Sequence, residues 1–189
     1  MKNIAVFASH NGSNLQAIID GCRDGKINAR VALVISNNPD AYALQRAKNA
    51  GIQAFCLNKK LLGENLVETT ARLLTEHETD LIFLAGYLKK LPLRILRDYE
   101  NRIYNIHPAL LPKYGGKGMF GMHVHKAVIE AGEAFSGATI HKVCGEYDTG
   151  EIVSQKTVPV MKHDTPETLA ERVLEVEHEL LVSTLAKLC

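Results

Sequence analysis

Ile4-Ala5-Val6-Phe7-Ala8-Ser9-His10-Asn11-Gly12-Ser13-Asn14-Leu15 is the stretch that decides the fold. Its first part is apolar without alternation, as expected of a strand buried on both faces of a parallel sheet. Small and polar residues follow, and then Leu15, Ile18, Ile19 and Cys22 fall at helical spacing. The pattern predicts strand, short loop, helix start. Such a loop aims backbone N–H groups and the positive end of the helix dipole at one spot, where the Ser13 hydroxyl and Asn14 amide add donors. A phosphate monoester suits that spot; the same residue types also serve simply to cap a helix. A dinucleotide fits poorly, because His10 and Asn11 stand where a G-x-G-x-x-G fingerprint needs glycine. The second strand, Val31-Ala32-Leu33-Val34-Ile35, runs into Ser36-Asn37-Asn38 without the acidic residue that would hold a ribose.

Working outward, the pattern predicts a helix over 40–50 closed by Gly51, a strand over 53–57, a helix over 64–77 and a buried strand over 81–85. Alternating strands and helices give an α/β domain with a mainly parallel sheet, right-handed crossovers and helices on both faces. Ligands of such sheets bind at the carboxyl ends of the strands, where Asn11 to Asn14, Gly86 to Leu91 and Asn105 to His107 all fall. Further on, 136–143 and 152–160 alternate in character and predict an antiparallel pair added to the sheet. Thr165-Pro166-Glu167 opens a last helix with the buried stripe Leu169, Val173, Val176, Leu180 and Leu181. Glu177 lies beside that stripe, where it either reaches a polar ligand or is solvated.

The 189 residues suit a single domain over 1–189. Lys and Arg number 22 against 21 Asp and Glu, so no general attraction to nucleic acid or to an anionic membrane is expected. No apolar run approaches the roughly 20 residues of a membrane span. Cys22, Cys56, Cys144 and Cys189 are scattered, with no C-x-x-C and no secretory leader, which points to a reduced, cytoplasmic enzyme.

The chemistry centres on Asn105-Ile106-His107-Pro108-Ala109-Leu110-Leu111-Pro112. Period-two alternation sets Asn105 and His107 on one face and turns Ile106 to the core. An amide can donate to an oxygen gaining negative charge, and imidazole titrates near neutrality, so the pair suits acyl-type chemistry. In Gly86-Tyr87-Leu88-Lys89-Lys90-Leu91-Pro92, Leu88 and Leu91 would line an apolar slot rimmed by Lys89 and Lys90, suited to a flat heterocycle with an acidic tail. An ordinary amphipathic connection has the same pattern. The glycine-rich run 113–121 predicts a lid or a tight turn. His123 and His125 have no third ligand at recognisable spacing, so no metal is expected. Asp148 sits in a turn, where aspartate ordinarily bonds its own backbone.

Taken together, Ser13-Asn14-Leu15, Leu84-Ala85-Gly86-Tyr87, the 105–112 stretch, Ser136-Gly137 with His141, and Asp148-Thr149-Gly150 stand in the order found in the phosphoribosylglycinamide formyltransferase family, which this chain resembles over nearly its whole length. The resemblance implies a Rossmann-like formyltransferase fold. It also implies transfer of a formyl group from 10-formyltetrahydrofolate to the amine of glycinamide ribonucleotide (GAR). The folate would be a co-substrate, with no tightly bound cofactor.

By the same resemblance Asn105, His107 and Asp148 match the catalytic trio, Gly12, Ser13 and Asn14 the GAR phosphate cradle, and Glu177 a ribose-binding acid. Leu88, Lys89, Lys90 and Leu91, with Cys144, Gly145, Glu146, Tyr147 and Asp148, match segments that enclose the folate, beside Asn105. Residues 1–100 would then carry mainly the phosphate and 101–189 the catalytic and folate groups. Lys113, His123 and His141 match positions around the site. The chain departs from the family at Gly63 and Glu64, where many members have a basic residue, which leaves Lys59, Lys60 or Lys89 for the folate tail. It departs again at Leu174, and its run 115–121 is longer than in some members. The expected partners are the two small molecules, with the oligomeric state open. A formyltetrahydrofolate hydrolase, a formyltransferase for another phosphorylated amine and a phosphate-binding regulatory module are the rival readings.

Overall fold

The computed structural model describes residues 1–189 and contains one seven-stranded sheet. In chain order the elements are β1 (Lys2–Phe7), α1 (Ser13–Arg23), β2 (Ala29–Ser36), α2 (Tyr42–Asn49), β3 (Ala54–Cys56), α3 (Lys59–Leu62), α4 (Leu66–Glu76) and β4 (Leu81–Leu84). There follow α5 (Leu93–Asp98), β5 (Ile103–His107), α6 (Met122–Glu130), β6 (Phe135–Lys142), β7 (Ile152–Pro159) and α7 (Pro166–Leu188). The strands lie in the order β3-β2-β1-β4-β5-β6-β7, parallel as far as β5 and antiparallel beyond it.

The apolar run of β1 is buried on both sides, as its lack of alternation predicts. Ile4, Val6 and Ala8 join a core layer with Leu15 and Ile18 of α1, Ala43 and Ala47 of α2, and Leu180, Leu181 and Leu185 of α7. Ala5 and Phe7 face the opposite layer, with Leu73 and Leu74 of α4 and Ile95 of α5. A third cluster joins Val124 and Val128 of α6, Val158 of β7, and Leu169 and Val173 of α7.

The expected helix over 64–77 begins at Leu66 instead, after α3 and a single 3-10 turn over Gly63–Asn65. Asn58 caps α3 by accepting from the Leu61 N–H at 2.9 Å. Gly63 takes φ +55, outside the helical region, so α3 and α4 cannot run on as one helix. The expected helix over 40–50 likewise begins at Tyr42, because the Asn38 side chain accepts from the Asp40 N–H at 3.1 Å in a local turn.

Candidate active site

The strand ends bring two clusters to one edge of the sheet. The first is the loop between β1 and α1. Gly12 caps α1 at φ +73, and a Cβ there would lie 2.8 Å from the Ala43 Cβ. No side chain caps this end, so Ser13 and Asn14 are the first helical residues rather than caps. Arg46 of α2 braces the loop, its Nε donating to the Asn11 carbonyl at 2.8 Å and a guanidinium N–H to Asn11 Oδ1 at 3.2 Å. An open, dipole-backed helix end with a guanidinium behind it is an anion-binding arrangement.

Glu177 reaches the same place from α7. Its side chain is buried rather than solvated, 7% exposed, and burial pushes its carboxyl up to about 7, with the neighbouring Asn14 amide pulling the other way. Asn14 is itself buried and its Oδ1 has no hydrogen-bond partner. An unpartnered amide oxygen and a buried carboxyl thus sit side by side at the foot of the cradle, where a ligand hydroxyl could pair with them. A cleft of about 400 Å³ leads away from Ser13 along α1, lined by Gln16, Arg46 and His178, and does not include the second cluster.

That second cluster forms at the seam between parallel and antiparallel strands. Asn105 of β5 lies opposite His141 of β6 in the ladder, and its Nδ2 is 3.0 Å from His141 Nε2. The other ring nitrogen of His141 is 2.8 Å from the Lys142 carbonyl. A carbonyl only accepts, so Nδ1 carries the proton and Nε2 accepts from Asn105. Asp148 is turned into the cluster by a backbone at φ +54. Its Oδ1 is 3.5 Å from Asn105 Nδ2 and 3.4 Å from His141 Nε2; its Oδ2 is 3.6 Å from His107 Nδ1 and accepts from the Gly116 N–H at 2.9 Å. Gly150, just beyond, lies so close to β6 that a Cβ would fall 1.8 Å from the Lys142 carbonyl oxygen.

His107 donates Nε2–H to the Tyr114 carbonyl at 2.7 Å, which leaves Nδ1 unprotonated and facing Asp148 in the neutral ring. Burial lowers the His107 pKa, and outweighs the Asp148 charge and the Tyr114 carbonyl, which raise it. Asp148 therefore favours the imidazolium by its charge, while burial sets the balance in the free protein. For Asp148 burial is the largest single influence and raises the carboxyl. The neighbouring His141 ring, the His107 charge and the Gly116 N–H together hold it below its ordinary range.

The two segments expected to enclose a heterocycle also meet. Gly86, at φ +74, turns the chain out of β4, and the Leu88 N–H donates to Ser9 Oγ at 2.9 Å. Lys90 bridges to Glu146 at 3.1 Å and lies over the Tyr147 ring at 4.8 Å. Leu91 differs from its expected place in the slot: it is 6% exposed and packs into the core layer with Phe7, because the segment curls back towards α5. Leu88 is half-buried, and Lys89, Cys144, Gly145 and Glu146 are exposed. His123 and His125 part company, the first exposed and edge-on to Phe120, the second buried with burial pushing it down to about 4. Tyr114 and Gly116 act through backbone groups, which no side-chain pattern announces; Arg46 left the faint signal of a cation on the helix facing the loop.

Sequence and structure comparisons agree with this arrangement. The model of the formyl transferase family matches residues 2–185. A phosphoribosylglycinamide formyltransferase of Haemophilus influenzae is 42% identical over 95% of this chain and 84% of its own length. The chloroplastic phosphoribosylglycinamide formyltransferase of Arabidopsis thaliana is 44% identical over the whole chain, which spans 65% of that relative. A glycinamide ribonucleotide transformylase crystal structure from Geobacillus kaustophilus superposes with a TM-score of 0.91 at 37% identity, covering 100% of this chain and 98% of that one. These findings establish that the chain, with its polar cluster at the end of β5, belongs to the formyl transferase family.

Proposed function

We propose that the protein transfers the formyl group of 10-formyltetrahydrofolate to the primary amine of GAR, giving formyl-GAR and tetrahydrofolate in purine biosynthesis. The observation that carries this reading is the shared sheet edge: an anion-binding helix end at Gly12, Ser13 and Asn14 beside the Asn105–His107–Asp148 cluster. In this reading the cradle holds the GAR phosphate and Glu177 the ribose hydroxyls. Leu88 to Lys90 and Cys144 to Asp148 enclose the folate, which is consumed as a co-substrate. One domain carries both half-sites, with phosphate recognition mainly in 1–100 and chemistry in 101–189. No metal or tightly bound cofactor enters the reaction, and four unpaired thiols suit a reducing, cytoplasmic setting.

The neutral GAR amine attacks the formyl carbon, forming a C–N bond and leaving negative charge on the formyl oxygen. Asn105 donates to His141 at 3.0 Å and reaches Asp148 only at 3.5 Å, so its second amide hydrogen can turn to that oxygen. His107 accepts the proton of the new ammonium at Nδ1, its free nitrogen, and Asp148 stabilises the imidazolium that results. The same proton passes to the folate nitrogen as its bond to the formyl carbon breaks. No covalent enzyme intermediate is required.

The decisive assay measures tetrahydrofolate release from 10-formyltetrahydrofolate with and without GAR. Release should depend strictly on GAR. Equal turnover in water alone would reassign the protein as a hydrolase, and faster turnover with a different phosphorylated amine would replace GAR as the acceptor.

A further inference from the structure

Residues Lys113 to Gly116 have no part in the scheme above, yet they touch both members of the acid–base pair. The Tyr114 carbonyl takes the Nε2–H of His107 at 2.7 Å, and the Gly116 N–H donates to Asp148 at 2.9 Å. Gly115 between them has no room for a side chain: a Cβ would lie 2.6 Å from Leu111 Cδ2 and 3.1 Å from Asp148 Cβ. Tyr114 itself stands at φ +56, a left-handed conformation that a bulky residue keeps only where its surroundings fix it. The fixing contacts are on the side away from His107. The Tyr114 hydroxyl donates to Glu133 Oε1 at 2.9 Å, and Lys113 Nζ reaches the same oxygen at 2.8 Å. The ring packs against the third apolar cluster.

We propose that Glu133 is a positioning residue for His107, acting through the Tyr114 hydroxyl to hold the Tyr114 carbonyl on Nε2 and so to fix which ring nitrogen is free to move the proton. Its consequence for rate rests on the formyl-transfer reading; its consequence for the ring does not. Asp148, from the loop between β6 and β7, faces Nδ1 with negative charge and by itself favours a proton there. His141 on β6 and His125 on α6 are the other titratable groups around the ring, and both oppose a second charge on it. Only the Tyr114 carbonyl selects the Nε2–H form. Loosening it would let Asp148 pull the proton to Nδ1, which removes the acceptor that the reaction needs.

The test uses Tyr114→Phe and Glu133→Ala, which break the bond from either end, and Glu133→Gln, which retains an acceptor oxygen. Nitrogen-15 NMR of the histidine rings in the substrate-free protein reads the tautomer and the titration midpoint of His107. The parent should hold the Nε2–H form above neutrality. Tyr114→Phe and Glu133→Ala should mix in the Nδ1–H form and titrate at lower pH, while Glu133→Gln stays near the parent. Turnover in the formyl-transfer assay should fall about tenfold in the first two, the scale of one hydrogen bond to a group that becomes charged. KM for each substrate should hold, and the double variant Tyr114→Phe/Glu133→Ala should be no worse than either single one. An unchanged His107 tautomer and midpoint in Tyr114→Phe overturns the proposal whatever the turnover does, as do additive losses in the double variant. If the protein proves not to transfer formyl groups, the ring spectra still decide.

Discussion

Asp148 holds a conformation at φ +54 that costs a non-glycine residue about 1–2 kcal/mol, and its carboxylate is answered by two histidines, an amide and a backbone N–H. The local strain is what points the side chain inward rather than back onto its own turn. Asp148→Asn keeps the shape and removes the charge that raises the His107 pKa. The His107 midpoint should therefore fall below that of the parent in an NMR titration, and turnover should drop by at least about a hundredfold, the lower range for losing acid–base assistance. An identical midpoint in both proteins would show that Asp148 acts by ordering the loop instead of by charge. Asn105 and His107 were legible as a pair because a strand has period two and a short spacing settles the face. Asp148 was legible only through the order of motifs, since a turn aspartate is usually local. Tyr114, whose carbonyl accepts from His107, had no side-chain signature to read.

α7 shows how an element's own ends protect a distant site. Thr165 and Thr168 exchange side-chain and backbone hydrogen bonds at 3.0 and 3.3 Å, Pro166 supplies the first helical position, and Arg172 clasps Asp164 at 2.6 and 2.9 Å. The Arg172 guanidinium holds the Asp164 carboxyl far below the usual carboxylate range. Thr165→Ala should lower stability by about 1 kcal/mol, or about 2–4 °C in melting temperature for a chain of this size, and on the proposed formyl-transfer reading the GAR affinity should be unchanged because Glu177 lies three turns downstream. Calorimetry against a binding titration checks both halves. This helix was readable from its capping residue, its N-terminal proline and its apolar stripe. The break between α3 and α4 was not, because Gly63 departs from helical geometry inside a stretch whose leucines keep helical spacing.

Across the molecule, two buried ionisable groups set opposing pH responses. Glu177, raised to about 7, contributes stability that is complete below its unfolded value of 4.5 and is lost as pH rises to about 7. His125, lowered to about 4, contributes stability that is complete above 6.5 and is lost as pH falls towards about 4. Between 4.5 and 6.5 the two slopes oppose each other and nearly cancel. Glu177→Gln removes one of them, so urea unfolding should show a gain on the order of 2 kcal/mol above neutrality and a new rise in stability from pH 4.5 to 6.5. The same profile in parent and variant would mean that the Glu177 carboxyl is not protonated in the free protein, and a flat profile in the variant would mean that burial does not lower His125. The strand order has a consequence of another kind, in the making of the chain. β1 pairs with β2 on one side and with β4 on the other, so a nascent chain that has delivered β1, β2 and β3 keeps one bare edge on a strand that is apolar from Ile4 to Phe7. At translation rates of about 5–20 residues per second, that edge waits several seconds for Leu81 to Leu84. During that interval Ile4 to Ala8 is the segment most open to wrong pairing, and the natural target for a chaperone at the ribosome.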